Sequence, residues 1–272
     1  MTYIKHKEAQ IVVRMSQTAS SQIGEVSKEF WEIAGLLLAD GSIRNDHKHR
    51  KFEVVFAGKE EALIKIFKQQ MEKLFGNLNF VESVDKLQVK VLRVCKKSIA
   101  LSFLNFLPQW KRKGNAILKF PSIENTSTQN LQAFIRAFFS AEGSVVLGCK
   151  WNKCKKLWVI NKRVQVTIKN NSLKEFITKV LRKLGFQPKL WKNEVALTKK
   201  QDIIKFSEKI RFFDGVNISK KSRRWFGIEK NKLLDLIVDL CEKKMNSFHS
   251  IKEWENFVQL TSPRLQVQVP TG

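Results

Sequence analysis

From Ile33 to Ala39 every position is apolar or glycine, and the run stops at Asp40-Gly41-Ser42. Apolar positions on nearly all sides predict a helix buried on most of its surface. A second such run, "FIRAFFSAEGSV" at 134–145, ends in the same way on Glu142-Gly143-Ser144. Laid over one another, Ala39-Asp40-Gly41-Ser42-Ile43 matches Ala141-Glu142-Gly143-Ser144-Val145. The match continues downstream. "LIKIFKQQMEKLFG" (63–76) pairs with "LKEFITKVLRKLG" (173–185), and both place apolar residues three and four apart before a glycine, which predicts amphipathic helices with a glycine stop. "KKSIALSFLNFL" (96–107) pairs with "KKQDIIKFSEKI" (199–210). The chain is an internal duplication.

Between these helices the pattern changes to a period of two. "KFEVVFAG" sets Phe52, Val54 and Phe56 against Lys51, Glu53 and Val55. "KLQVKVL" sets Leu87, Val89 and Val91 against Lys86, Gln88 and Lys90. "RVQVTIK" sets Val164, Val166 and Ile168 against Arg163, Gln165, Thr167 and Lys169. Alternation of this kind predicts half-buried strands with one polar face. The fold class is therefore α+β. Each copy runs helix–strand–strand–helix–strand–strand–helix, an αββαββα half, and two halves in one chain make a pseudo-two-fold pair. An antiparallel sheet covered by helices on one side can leave its other side open. Here that open side carries long hydrogen-bonding side chains suited to the major groove of duplex DNA.

The expected organisation is an N-terminal extension over 1–27, a first half over 28–107, a polar linker over 108–127, a second half over 128–245 and a C-terminal extension over 246–272. Residues 226–245 read as one more helix, and the tail "SPRLQVQVPTG" as loosely held or locally paired.

Charge sharpens this picture. The 272 residues carry 50 Lys and Arg against 25 Asp and Glu, a formal net charge of +25, and the lysines are spread through every segment. The basic surface thus belongs to the fold, and such self-repulsion suits a protein held on a polyanion. A small-metabolite enzyme has no use for it. No apolar stretch reaches the ~20 residues that span a bilayer, so no membrane partner is expected. The four cysteines, Cys95, Cys149, Cys154 and Cys241, lack zinc-finger spacing and read as reduced thiols of an intracellular protein. His47 and His49 read as a polar turn tip.

The two acids are the candidate chemistry. Gly35 and Ala39 lie four apart on one helix face, as do Ala137 and Ala141. Small residues at that spacing let two helices approach closely, and if they pack side by side their C-terminal ends meet. Asp40 and Glu142 then share one locality with two helix ends, each adding roughly half a negative charge. That arrangement is unfavourable alone and favourable around a divalent cation. Carboxylate and main-chain oxygens are ligands that Mg²⁺ prefers, alongside water and phosphate. Ca²⁺, with longer and looser coordination, is expected to support binding without efficient cleavage.

"IAGLLLADGS" and "IRAFFSAEGS" resemble the two signature helices of the LAGLIDADG homing endonucleases, in their single-chain, two-motif form. The resemblance runs over about residues 28–245. It implies a saddle of two halves with the signature helices at the interface, acting as a monomer on double-stranded DNA. It implies Mg²⁺-dependent cleavage of a long asymmetric site, with two or three divalent ions, by an intron-encoded enzyme. Asp40 and Glu142 match the metal-binding acids, and Ala39 and Ala141 the positions whose carbonyls assist. Lys111, in "QWKRKGNAIL", matches a basic residue aimed at the active site, and Lys220 or Lys221, in "ISKKSRRW", takes that part in the second copy. The candidate DNA-contacting residues are Arg44, Lys51, Glu53, Lys86, Gln88, Lys90, Arg163, Gln165, Thr167 and Lys169. Some relatives place a polar residue late in the second strand to organise water, and Phe56 and Ile168 stand nearest that position. Two alternatives stay open: an RNA maturase with the host intron RNA as partner, and a DNA-binding relative that has lost cleavage.

Overall fold

The computed structural model describes residues 27–46, 48–49, 51–107, 117–220 and 222–261. Helix α1 (Lys28–Asp40) leads into strands β1 (Gly41–Asp46) and β2 (Lys51–Gly58), then α2 (Glu61–Phe75), β3 (Phe80–Val84), β4 (Lys90–Val94) and α3 (Lys97–Phe106). The second half repeats the order: α4 (Thr128–Glu142), β5 (Gly143–Asn152), β6 (Leu157–Thr167), α5 (Asn171–Lys183), β7 (Lys189–Leu190), β8 (Glu194–Leu197) and α6 (Lys200–Lys209). Helix α7 (Lys230–Glu242), strand β9 (Ser247–Phe248) and helix α8 (Ile251–Thr261) follow. Both sheets are antiparallel and have the same order, β1-β2-β4-β3 and β5-β6-β8-β7, with β9 added to β6 in the second. The expected α+β duplication is what the chain forms.

Local chemistry explains the element ends. Ser27 and Ser127 cap the two long helices alike, each hydroxyl accepting the amide of a residue three on, Phe30 at 3.4 Å and Asn130 at 3.2 Å. Gly76 and Gly185, the expected glycine stops, sit at φ 82° and 76°, a backbone region in which a side chain is strained.

Helices α1 and α4 pack against each other along their length. Trp31 meets Phe134 edge-on, with ring centroids 5.9 Å apart. One turn later, a Cβ placed on Gly35 would stand 2.6 Å from the carbonyl oxygen of Phe134 and 2.9 Å from Cβ of Ala137. The backbones can meet only because Gly35 has no side chain. Gly35→Val forces the helices apart, and the expected loss is about 1–3 kcal/mol, read as a lower melting temperature. Following Trp31 against Phe134, this contact runs in the same direction along both helices, so they pack in parallel. Each helix therefore ends at the same end of the pair.

The cores of both sheets lie on their helix-covered sides. Val54 and Phe56 of β2, Leu92 and Val94 of β4, and Val164 and Val166 of β6 are buried there. The expected strand "KLQVKVL" is corrected in both extent and phase. Strand β4 starts only at Lys90, and Leu87 is 71% exposed. Asp85 makes the turn instead: its Oδ1 accepts the amides of Leu87 and Val89, both at 2.8 Å, and Gln88 takes φ 59°. From there the buried residues are Leu92 and Val94, the opposite alternation from the expected one.

Of the linker, residues 117–127 are described; Phe120 stacks on Phe176 of α5 at 4.1 Å, and Lys183 donates to the carbonyls of Ile123 and Glu124. The expected N-terminal extension up to residue 26, residues 108–116 and the tail from 262 lie outside the described residues. Among the described residues no helix is long and apolar enough to cross a membrane.

Candidate active site and nucleic-acid interface

Asp40 and Glu142 are the last residues of α1 and α4, and both are exposed where the helix before them is buried. Glycine follows each for a steric reason. Gly41 and Gly143 return their amides to Leu37 and Phe139 as the chain turns into a strand. A Cβ on Gly41 would stand 2.6 Å from Cα of Leu37, and one on Gly143 2.5 Å from the carbonyl oxygen of Phe139. The tight turn holds each acid at the junction of helix and sheet.

A residue that the sequence reading missed completes the junction. Lys230, the first residue of α7, is buried, and its Nζ donates to the carbonyls of Ser140 at 2.8 Å and Gly143 at 2.7 Å. It thus caps the C-terminal end of α4, where the helix is most negative. Burial pulls the Lys230 pKa down to about 8, while Glu60, Glu142 and Asp40 pull it back up. One buried ammonium therefore feels both predicted acids, which places them in a common electrostatic locality. The unfolded chain keeps the proton that folded Lys230 gives up above about pH 8. The lysine's destabilising burial is fully present below that pH and fades as pH rises towards its unfolded value, so stability gains over that window. Melting curves across it are expected to show the gain in wild type and to lose it in Lys230→Met.

The sequence did hold a signal for Lys230. It precedes Leu233, Leu234 and Ile237 by three, four and seven residues, on the apolar stripe of its helix. Asn231 beside it, also buried, pins the preceding loop by accepting the Phe212 amide at 3.0 Å and donating to the Phe212 carbonyl at 3.1 Å. Of the lysines expected at the site, Lys220 is exposed in a turn, its Nζ 5.9 Å from the centroid of Phe226. Lys111 and Lys221 lie outside the described residues.

The donor set expected for a divalent ion, the Asp40 and Glu142 carboxylates with the main-chain oxygens of Ala39 and Ala141, is oxygen only. Among the described residues no group of three or more His, Cys, Asp or Glu converges as a metal cage. Mg²⁺ is usually held by one or two carboxylates plus water and substrate phosphates, a set that the two expected acids could supply. The four cysteines are free thiols.

The open sheet faces carry most of the expected contact residues. On the first, Arg44 stands opposite Glu53, paired at 3.1 Å, and Lys51 opposite Asp46. On the second, Gln165 stands opposite Ser144 and Thr167 opposite Glu194. Arg163 lies over the Trp191 ring at 5.4 Å and 3.9 Å from Glu194. The Nε of Arg163 and the Oε1 of Gln165 are buried without a hydrogen-bond partner among the described residues. Lys169 is exposed just past the end of β6.

Three of the expected contacts are placed differently. Lys86 and Gln88 belong to the turn made by Asp85 rather than to a strand face. Lys90 shares the alternation of buried Leu92 and Val94, and its ammonium pairs with Glu61 at the start of α2. The residue that does lie on the open face of β4 is Arg93, opposite Val55 and donating to Ser83 Oγ at 3.0 Å. Phe56 and Ile168 are both buried in the core, so neither faces the acids. By register the open-face residues nearest the two turns are Val55, opposite Ser42, and Gln165, opposite Ser144.

Residues 129–214 match the family described as LAGLIDADG-like domain. No curated protein matches the chain. Among solved structures, the LAGLIDADG meganuclease I-AabMI bound to uncleaved DNA superposes with a TM-score of 0.54 at 10% identity, covering 87% of this chain and 98% of that one. I-DmoI in complex with DNA and Ca gives 0.47 at 21% identity, covering 67% and 88%. The N-terminal LAGLIDADG domain of DUF199/WhiA gives 0.41 at 13% identity, covering 80% and 94%. Residues 129–214 match a LAGLIDADG-like domain, and the chain has the two-domain LAGLIDADG meganuclease fold.

Proposed function

We propose that the protein is a site-specific, Mg²⁺-dependent double-strand DNA endonuclease of the homing type, intron-encoded and acting as a monomer on a long asymmetric target. One observation carries this reading. Two acids from the two halves end paired helices at one place, around a buried lysine, where two basic open sheet faces begin. I-AabMI, which has the same fold, is bound to DNA in its structure.

In this reading Asp40 and Glu142, with the carbonyls of Ala39 and Ala141, would hold the divalent ions that the cleavage needs. When bound, such ions activate water and offset charge on the leaving oxygen. Lys230 keeps the end of α4 in place and offsets its negative charge, so Glu142 is presented in a fixed position. Gln165, level with Ser144 and with its Oε1 unpartnered, is proposed to orient water or a base edge on the second side. Val55 occupies the equivalent place in the first half, so the two strands meet unlike surroundings. Lys111 and one of Lys220 and Lys221 are proposed to stabilise phosphate charge. Arg44, Lys51, Arg93, Arg163, Gln165 and Thr167 contact the duplex, and Arg and Gln among them suit guanine and adenine edges. I-AabMI is bound to DNA, and host intron RNA is not proposed as a partner. The domain limits 28–107 and 128–245 are proposed as the two functional halves.

The test is selection of cleaved molecules from a randomised duplex library in Mg²⁺. Recovery of one long, asymmetric consensus is the expected result, and recovery of unselected sequence removes the proposal of site-specific cleavage.

A further inference from the structure

The two β-hairpins that leave the acids have different lengths. Counted from the glycine after each acid, β1 and β2 pair over Gly41–Asp46, six residues, whereas β5 and β6 pair over Gly143–Asn152, ten residues. Four extra residues at about 3.3 Å each carry the second hairpin ~13 Å further from the site. That distance spans about four base-pair steps and roughly eight phosphates of a duplex.

This arm is built to stay in place. Beyond the end of β8, the free edge of β6 is taken by β9, with Trp158 opposite Phe248 and Val159 opposite Ser247. The Ile160 amide bonds the Asn246 carbonyl at 2.9 Å, and Lys162 Nζ donates to the Met245 carbonyl at 2.7 Å. Helix α8 backs β9, packing Trp254 and Phe257 on Phe248 with centroids 5.7 and 5.6 Å apart. The C-terminal segment up to residue 261 is thus a brace on the helix-covered side. On the open side Lys150 stands opposite Val159 and Asn152 opposite Leu157, and the hairpin tip exposes Lys153, Lys155 and Lys156. Residues 143–163 hold six Lys and Arg and no Asp or Glu.

We infer that the braced arm, residues 149–160, is an additional duplex-DNA contact that extends the second half's footprint by about four base pairs beyond that of the first. The inference rests on the proposed DNA-binding function. Its charge has one sign, and it continues the same open face that carries Arg163 and Gln165.

The test is hydroxyl-radical footprinting on a duplex recovered from the randomised library, in Ca²⁺. Wild type is expected to protect one flank about four base pairs further from the centre than the other. Lys150→Gln/Lys153→Gln/Lys155→Gln, all at exposed positions, is expected to lose that extra protection alone and to lower the salt slope by about two to three. Lys48→Gln/Lys51→Gln on the first hairpin is expected to keep it. Equal flanks, or an unchanged footprint in the triple variant, overturn the arm and leave the DNA-binding proposal standing. No protection by wild type overturns both.

Discussion

Asp40→Asn and Glu142→Gln are each expected to fold, bind duplex DNA and fail to cut at least one strand. Both acids are exposed at the ends of otherwise buried helices, so the replaced atoms pack little. Each adds negative charge at a helix C-terminus, and neutralising it changes stability by no more than about 0.5 kcal/mol. The contact through Gly35 and Ala137, which sets the helix pairing, is untouched. Metal binding, by contrast, loses a charged ligand where phosphate charge must be offset. Several kcal/mol of transition-state stabilisation goes with it, a slowing of about a thousandfold or more. The acids come from different halves, so a single loss leaves a nicking enzyme if each half serves one strand, and an inert binder if one ion serves both. Supercoiled, nicked and linear plasmid separate these outcomes. Wild-type linearisation by both variants contradicts the assignment, and a large fall in melting temperature makes the carboxylates structural.

Binding is expected to weaken steeply with salt. The formal charge of +25 is spread over the fold, and the open faces carry Arg44, Lys51, Arg93 and Arg163 on separate strands. A saddle that neutralises ~6–10 phosphates loses about three to five orders of magnitude in affinity between about 50 and 200 mM salt. Titration by fluorescence anisotropy with Ca²⁺ held constant reads the slope without cleavage. A nearly flat slope removes the polyanion from the account of the charge.

Periodicity alone made the architecture legible. The paired apolar runs, the glycine stops and the alternation in "KFEVVFAG" and "RVQVTIK" each reported burial on a repeating face, and burial is what the elements share. Failure came where a single polar group overrode the pattern. Asp85 accepts two amides and turns the chain, so the apparent alternation from Lys86 to Val91 was a turn followed by a strand of opposite phase. Arg93 was hidden by that same slip. Lys230 was hidden for another reason: a lysine looks solvated in any sequence this basic, and only its place on the stripe of Leu233, Leu234 and Ile237 marks it as buried. Among the described residues the brace formed by β9 and α8 has no counterpart in the first copy, so the repeat could not announce it. The acids themselves were legible because they recur, and their locality depends on Gly35, whose missing side chain the sequence displays directly.

The central claim is that paired helix ends from the two halves hold divalent ions and cut both strands of one duplex. Strand-resolved cleavage of the selected duplex, run in Mg²⁺, in Ca²⁺ and after chelation, tests it most directly. The account predicts both strands cut in Mg²⁺, binding with little or no cutting in Ca²⁺, and no cutting after chelation. Cleavage that survives chelation, or a duplex that is bound and left whole in Mg²⁺, contradicts it.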